Sequence, residues 1–344
     1  MQYYVRRAIA PTTRGTYDAV ERSYRDYSAS ISSGLRDAPI RADIACEYLA
    51  HLADRGQHKA STIAVHKSAL HTIAEEQAGV TAANPMDAPK LKRLIAGIAA
   101  DRAELEQSQR ASRPQNTPLT FDLVRALRPR YEGSPERRML YALIALAVAA
   151  CSRLSELLGS SRYPERRLRA RQVTFYTDAQ GRVAVAPSPG ARAVIPHHLE
   201  LHLDITKTDQ ARRGTVKVIS ARTAVEAVWQ HLCDSGAHGN DVVFGSEERG
   251  RIATTALVRS VREELTAIGR ADLAAQTGGR SFRRGAASTL SALGADDADI
   301  AQLGWAPSSV VGRTHYANDP GVQRARALAI NAQLEGAVTA ARSS

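Results

Sequence analysis

Cleaving a phosphodiester bond without a metal takes a nucleophile, cations around the nonbridging oxygens and an acid for the leaving 5′-oxygen. Arginine suits the cation role, because its planar fork donates to phosphate through two bonds and stays charged. Tyrosine can be the nucleophile once its hydroxyl, with an ordinary pKa of roughly 10, is activated or preorganised. The chain carries these residue types in order. Arg153 stands in ACSRLSELLGS, directly after an apolar stretch, with Glu156 one helical turn on to orient it. Lys207 ends an alternating run in LELHLDITKTDQARRG, so its amine is expected at a hairpin tip, within reach of a groove. Arg283 lies in GGRSFRRGAASTLSALG, in the first turn of a small-residue helix. Trp305 follows Leu303-Gly304, and its indole N–H can donate to a phosphate oxygen. Tyr316 comes last. Each residue alone also fits a plainer role: a surface Arg–Glu pair, a solvated turn lysine, a core aromatic, one of 11 tyrosines.

The elements that would hold these residues are mostly helical. Thr12 to Ser28, Ile40 to Ala53 and Ser61 to Ala78 each place apolar or aromatic residues at helical spacing, with Ser61 or Thr62 available as a cap. Asn84-Pro85 signals a turn, and a fourth helix runs from about Asp87 past Ala100. Gln107 to Pro118 is polar, holds two prolines and lacks periodicity, as a linker would. Beyond it, Leu119 to Leu127 and Glu136 to Ala150 read as helices, the second a buried one because it is almost wholly apolar from Leu140 onward. Short strands follow at QVTFYT, RVAVAP, LELHLDITK and TVKVIS, broken by turn residues such as Gln180-Gly181. Helices resume from Ala221, with Thr254 to Ile268, Gly285 to Leu293 and Asp296 to Gly304 as the main segments. Gln323 to Val338 reads as an amphipathic tail helix. The expected fold is therefore mainly α with a small antiparallel sheet, an α+β chain. Its expected parts are a helical domain over 1–106, a linker over 107–118, a second domain over 119–326 and a tail over 327–344.

Composition narrows the partners. The formal net charge is +11 over 344 residues and the pI about 9.9. Such a balance suits a polyanion, whose counterions are released on binding, although a basic surface alone also accounts for it. Cys46, Cys151 and Cys233 are far apart and odd in number, which indicates neither a zinc site nor a disulfide framework and fits a reducing compartment. MQYYVRRAIAPTTRGTY has no apolar core of a secretory signal, and the longest apolar run, Leu140 to Cys151, is too short to span a bilayer. The protein is expected to be intracellular and not membrane-bound.

Taken together, the ordered set Arg153, Lys207, Arg283, Trp305 and Tyr316 resembles the signature of the tyrosine recombinases, the phage integrase family. ACSRLSELLGS is similar to the family's first arginine box, T-G-x-R-x-x-E-L. GRSFRRGAASTLSALGADDADIAQLGW is similar to the second, H-x-x-R followed by a helix pair and G-[HW]. HLDITKTDQARRG is similar to the lysine hairpin in its KTD form, found in recombinases of mobile elements and viruses. KASTIAVHKSALHTIAEEQAG, Asn84-Pro85 and KLKRLIAGI are similar to the family's helical core-binding domain. The resemblance spans roughly Thr12 to Arg326. Two departures stand out: the histidine of H-x-x-R falls on Arg280, and the Trp305 to Tyr316 spacing is two residues longer than the common one. His315 is a candidate stand-in for the missing histidine.

The resemblance implies a DNA integrase or site-specific recombinase working through a 3′-phosphotyrosyl intermediate formed by Tyr316. It gives Arg153, Arg280, Arg283 and Trp305 to the phosphate, Lys207 to the leaving oxygen and Glu156 to the support of Arg153. No metal and no cofactor is implied. It further implies a C-shaped clamp on double-stranded DNA, with Lys59, His66, Lys67, Lys90, Lys92 and Arg93 as candidate phosphate contacts. A homo-tetramer on two DNA sites would be linked by the tails. Three other readings stay open: a catalytically weakened DNA-binding relative, a type IB topoisomerase-like enzyme, and a helical interaction protein. The compartment would be nucleoid, cytoplasm or nucleus according to host.

Overall fold

The computed structural model describes residue 9 and residues 11–78, 83–110, 117–160, 166–204, 215–246 and 250–292. Lys207, Trp305, Tyr316, His315, the helix expected at Asp296 to Gly304 and the tail lie outside them. The chain divides into two compact units, Met1–Arg113 and Pro114–Ser344.

The described residues of the first unit form four α-helices: α1 (Pro11–Ile31), α2 (Ala42–Asp54), α3 (Ala60–Ala78) and α4 (Pro89–Arg110). Their apolar stripes meet in one core of Val20, Tyr24, Tyr48, Leu49, Ile63, Leu70, Met86 and Leu91. This is the outcome expected when helical spacing puts apolar residues on one face. Asn84 stands within the α3–α4 connection, capping a short 3-10 turn over Pro85–Asp87. Its Oδ1 accepts from Met86 N at 2.9 Å and its Nδ2 donates to the His71 carbonyl at 2.9 Å, pinning the turn to α3. Two expectations need correcting. Helix α3 begins at Ala60, so Ser61 and Thr62 lie inside its first turn and do not cap it. Helix α4 runs to Arg110, four residues into the polar stretch read as a linker, because Gln107 to Arg110 are competent helix formers and the first proline comes only at Pro114.

The second unit is α+β. It contains α5 (Phe121–Leu127), α6 (Pro135–Ala149), α7 (Leu154–Leu158), strands β1 (Val173–Tyr176), β2 (Ala184–Val185), β3 (His198–Leu203) and β4 (Thr215–Ile219), then α8 (Arg222–Ser235), α9 (Thr254–Ala267), α10 (Ala271–Gln276) and α11 (Gly279–Ala292). Helix α6 is the axis of the core. Every residue from Ala142 to Ala149 has no measurable exposure, as its apolar run requires. Ser134 starts it, its Oγ accepting from Arg137 N at 3.2 Å with Pro135 in the first turn. Ser134→Ala should therefore cost about 1 kcal/mol, read as a fall of roughly 2–4 °C in the thermal unfolding midpoint. An unchanged midpoint would show that the cap contributes nothing.

The sheet is antiparallel with order β2-β1-β3-β4. Strand β2 keeps only two residues of the expected RVAVAP run, since Val183 is exposed and Pro187 cannot donate to a ladder. Pairing sets Leu201 opposite Val173 on one side and opposite Lys217 on the other. Paired residues share a face and alternate along each strand. One face thus carries Val173, Phe175, Leu199, Leu201, Leu203 and Ile219, all buried, and Lys217 belongs to that face. Phe175 meets Trp229 of α8 edge-on, ring centroids 4.9 Å apart.

Helix α11 is seated by a close backbone approach. Leu119 N donates to the Ser281 carbonyl at 3.0 Å, and Thr117 N to the Gln276 carbonyl at 3.2 Å. A Cβ on Gly285 would stand 2.0 Å from the Leu119 carbonyl oxygen and 3.2 Å from Cγ1 of Val148. Glycine at 285 is what allows α11 to lie against α6 and the Leu119 segment at once.

Candidate active site

The turn leaving α6 is the foundation of the site. Ala150 N and Cys151 N still donate back to Leu146 and Val148 carbonyls, at 2.8 and 3.1 Å. Cys151 then takes φ 49, the only positive value at a described non-glycine residue, which turns the chain sharply enough to start α7 three residues later. The buried Cys151 thiol donates to the Arg283 carbonyl at 3.0 Å, tying the turn to α11, and burial pushes its pKa up. A buried protonated thiol of this kind is a packing residue, not a nucleophile.

Arg153 caps α7 from outside. Glu156, at the third position of that helix, holds it twice: Oε2 accepts from Arg153 N at 3.0 Å and Oε1 from Nη1 at 2.8 Å. The Glu156 side chain is 8% exposed and that of Arg153 33%, so the carboxylate is inside and the guanidinium reaches out from it. Arg283 is half-buried on α11. Its carbonyl accepts from the Cys151 thiol, two residues before Arg153, which ties α11 to the turn that carries Arg153; burial and then the positive charge of Arg153 lower its pKa, and Glu156 raises it.

The structure thus brings together Arg153, Glu156 and Arg283. Arg283 sits in the second turn of α11, not the first as expected, because the helix already begins at Gly279. Arg280 is exposed on the preceding turn, and among the described residues nothing joins it to this group. Lys207, Trp305 and Tyr316 fall outside the described residues.

A further member was not foreseen. Lys217, on the core face of β4, donates from Nζ to the Ala150 carbonyl at 2.8 Å and to Ser152 Oγ at 3.1 Å. Burial lowers its pKa, as do the charges of Arg283 and Arg153, while Glu156 raises it. The available signal was a lysine set between two valines in a strand, which counting charges along the chain passes over.

On the first unit, Lys59, Lys90, Lys92 and Arg93 are exposed and Lys67 half-buried. His66 differs. Its Nδ1 lies 2.9 Å from Tyr48 Oη, its ring packs beside Tyr48 and His58, and burial lowers its pKa. It serves the aromatic interior of α2 and α3 at least as much as any surface. Among the described residues there is no group of histidine, cysteine and carboxylate side chains arranged to hold a metal ion, and no helix long and apolar enough to cross a membrane.

The second unit is thus an α+β domain with two arginines and a carboxylate gathered where α7, α11 and β4 meet. No protein-family model and no curated protein matches the chain. Among solved structures, a crystal structure of XerA recombinase is similar over 94% of this chain and 93% of that one, at 15% identity and a TM-score of 0.37. A likeness that distant decides nothing about activity.

Proposed function

We propose that this protein is a tyrosine recombinase, a site-specific DNA strand transferase. One observation supports it above the others: Arg153 and Arg283, far apart in sequence and both singled out by phosphate chemistry, stand in one charge cluster around Glu156. Fixed guanidinium groups of this kind stabilise charge that develops on nonbridging phosphate oxygens, and their preorganisation removes the cost of reorienting solvent.

In this reading Tyr316 attacks the scissile phosphate. The Tyr316 O–H bond breaks with its proton passing to solvent, a Tyr–O–P bond forms, the P–O5′ bond breaks, and the leaving 5′-oxygen takes a proton from Lys207. Arg153 and Arg283 carry the nonbridging oxygens, Arg280 and Trp305 complete the pocket, and Glu156 holds Arg153. The 3′-phosphotyrosine keeps the bond energy, so a 5′-hydroxyl from a partner duplex can reseal the strand. Residues 1–106 form the core-binding domain, 119–326 the catalytic domain and 327–344 the tail. Together they clamp double-stranded DNA as a tetramer on two sites, with Lys59, Lys67, Lys90, Lys92 and Arg93 contributing phosphate contacts.

The test is covalent trapping. Duplexes selected by the wild-type protein from a randomised pool are remade with a nick beside each candidate cleavage position, so that the released fragment diffuses away. A protein–DNA adduct that Tyr316→Phe abolishes is the expected result. Selected duplexes that never yield an adduct would sink the reading. The exposed position of Arg280, where the family pattern has histidine, favours one second reading: a relative that binds DNA but cleaves it weakly or not at all. Site-specific binding with no adduct would select it, and relaxation of supercoiled plasmid without a specific site would select a type IB topoisomerase-like enzyme.

A further inference from the structure

We infer that Lys217 is a positioning residue of this same centre: from the core face of β4 it fixes the Ala150–Ser152 turn and, through that turn, the aim of the Arg153 guanidinium. The inference rests on the strand-transferase reading above.

The sheet register makes the placement unusual. Lys217 and Ile219 share a face with Leu199 and Leu201, while Val216 on the opposite face is 50% exposed. Val218, on the same face as Val216, is buried at 9%, so both faces of β4 are partly covered; what is unusual is a lysine among the leucines of the core face. Withdrawing an ammonium from water is costly unless hydrogen bonds and opposite charge replace the lost hydration. Here they do. The amine meets the Ala150 carbonyl at the C-terminal end of α6, where the helix dipole presents negative potential, and the Ser152 hydroxyl. Glu156 supplies the opposite charge.

A methionine on this face would satisfy the fold without that cost, so packing does not explain the lysine. What the amine reaches does. Ala150 and Ser152 flank Cys151, whose left-handed backbone and thiol link to the Arg283 carbonyl set the path from α6 to α7. Arg153 is the next residue. With two bonds to the turn, Lys217 locks the peptide that carries one arginine and, through Cys151, its spacing to the helix that carries the other. Its role differs from that of Lys207, which is assigned to the leaving oxygen.

The two roles separate on leaving-group chemistry. A 5′-bridging sulfur leaves as a thiolate and needs no acid, whereas the natural 5′-oxygen does. The trapping duplexes are made in both forms and cleaved by wild type, Lys207→Ala, Lys217→Met and Lys217→Gln, with circular dichroism and melting of each variant. The expected result is a fall of about 100-fold in adduct rate for Lys217→Met, equal on the oxygen and sulfur substrates. Lys217→Gln, which keeps an N–H for the Ala150 carbonyl, should recover part of that rate. Lys207→Ala should be rescued by sulfur. Rescue of Lys217→Met by sulfur would make Lys217 the acid and overturn the inference, as would wild-type cleavage by a folded Lys217→Met. Should Lys217→Met fail to fold, Lys217→Gln is held to the same two outcomes. In all of these the wild type cleaves; a wild type that never forms an adduct overturns the strand-transferase reading itself.

Discussion

Gly285→Ala should lower the melting temperature of the protein by about 10 °C, an effect opposite in sign to the one helix propensity predicts. Within a helix, alanine is favoured over glycine by about 1 kcal/mol, and Gly285 lies inside α11. The surroundings decide the sign. The new methyl would meet the Leu119 carbonyl oxygen at 2.0 Å, far inside contact distance, and that oxygen is backbone, with no rotamer to escape into. Leu119 is itself held by its N–H to Ser281 on the same helix, so the clash can be relieved only by lifting α11 off the Leu119 segment and off Val148. Overpacking of this kind costs roughly 3 kcal/mol or more, and a domain of this size loses roughly 2–4 °C per kcal/mol. On the proposed reading, cleavage should fall with stability, because Arg283 rides on α11 two residues earlier. Differential scanning calorimetry gives the answer; a melting point equal to or above that of the parent would show that α11 is not seated as described.

Replacing Glu156 by Gln has a comparably large expected effect for a different reason. The shape hardly changes, and the amide oxygen can still accept from Arg153 N. The charge that Arg153, Arg283 and Lys217 share is lost, and the amide NH2 turns donors toward a guanidinium that needs an acceptor. Removing one partner of a buried ion pair costs about 3–5 kcal/mol. Since the Arg153 side chain is one-third exposed, solvent screens part of this, and the lower end, about 3 kcal/mol, is expected. Urea unfolding monitored by fluorescence checks it. A midpoint within error of the parent would mean that the carboxylate is not the hub of the cluster.

Some of this was legible in the chain. The apolar run of α6, the helical stripes of the first unit and the strand segments follow from periodicity, which burial enforces directly. The pair of Arg153 and Glu156 was readable because one helical turn separates them. Other features were not. Alternation in TVKVIS marks a strand but does not say which face looks inward, and the natural guess puts the valines inside and Lys217 in water. Nothing about Cys151 announces left-handed backbone, since its neighbours and not its side chain impose it. The glycine in RRGAAS carries a signal, a helix interior interrupted at a packing contact, but its partner, Leu119, is too distant in sequence for any local pattern to name. The start of α11 was misplaced because RSFRR has no apolar period until Phe282 and Ala286 meet the core.

The bonds from Thr117 to Gln276 and from Leu119 to Ser281 have a mechanical meaning. The backbone entering the second unit from the first is stitched, within its first described residues, to the end of α10 and the first turn of α11. A pull on that connecting chain is therefore borne first by these two hydrogen bonds, one at Ser281 between Arg280 and Arg283, before it reaches any other element. A load on Thr117 or Leu119 is thus passed directly to the end of α10 and the first turn of the arginine helix.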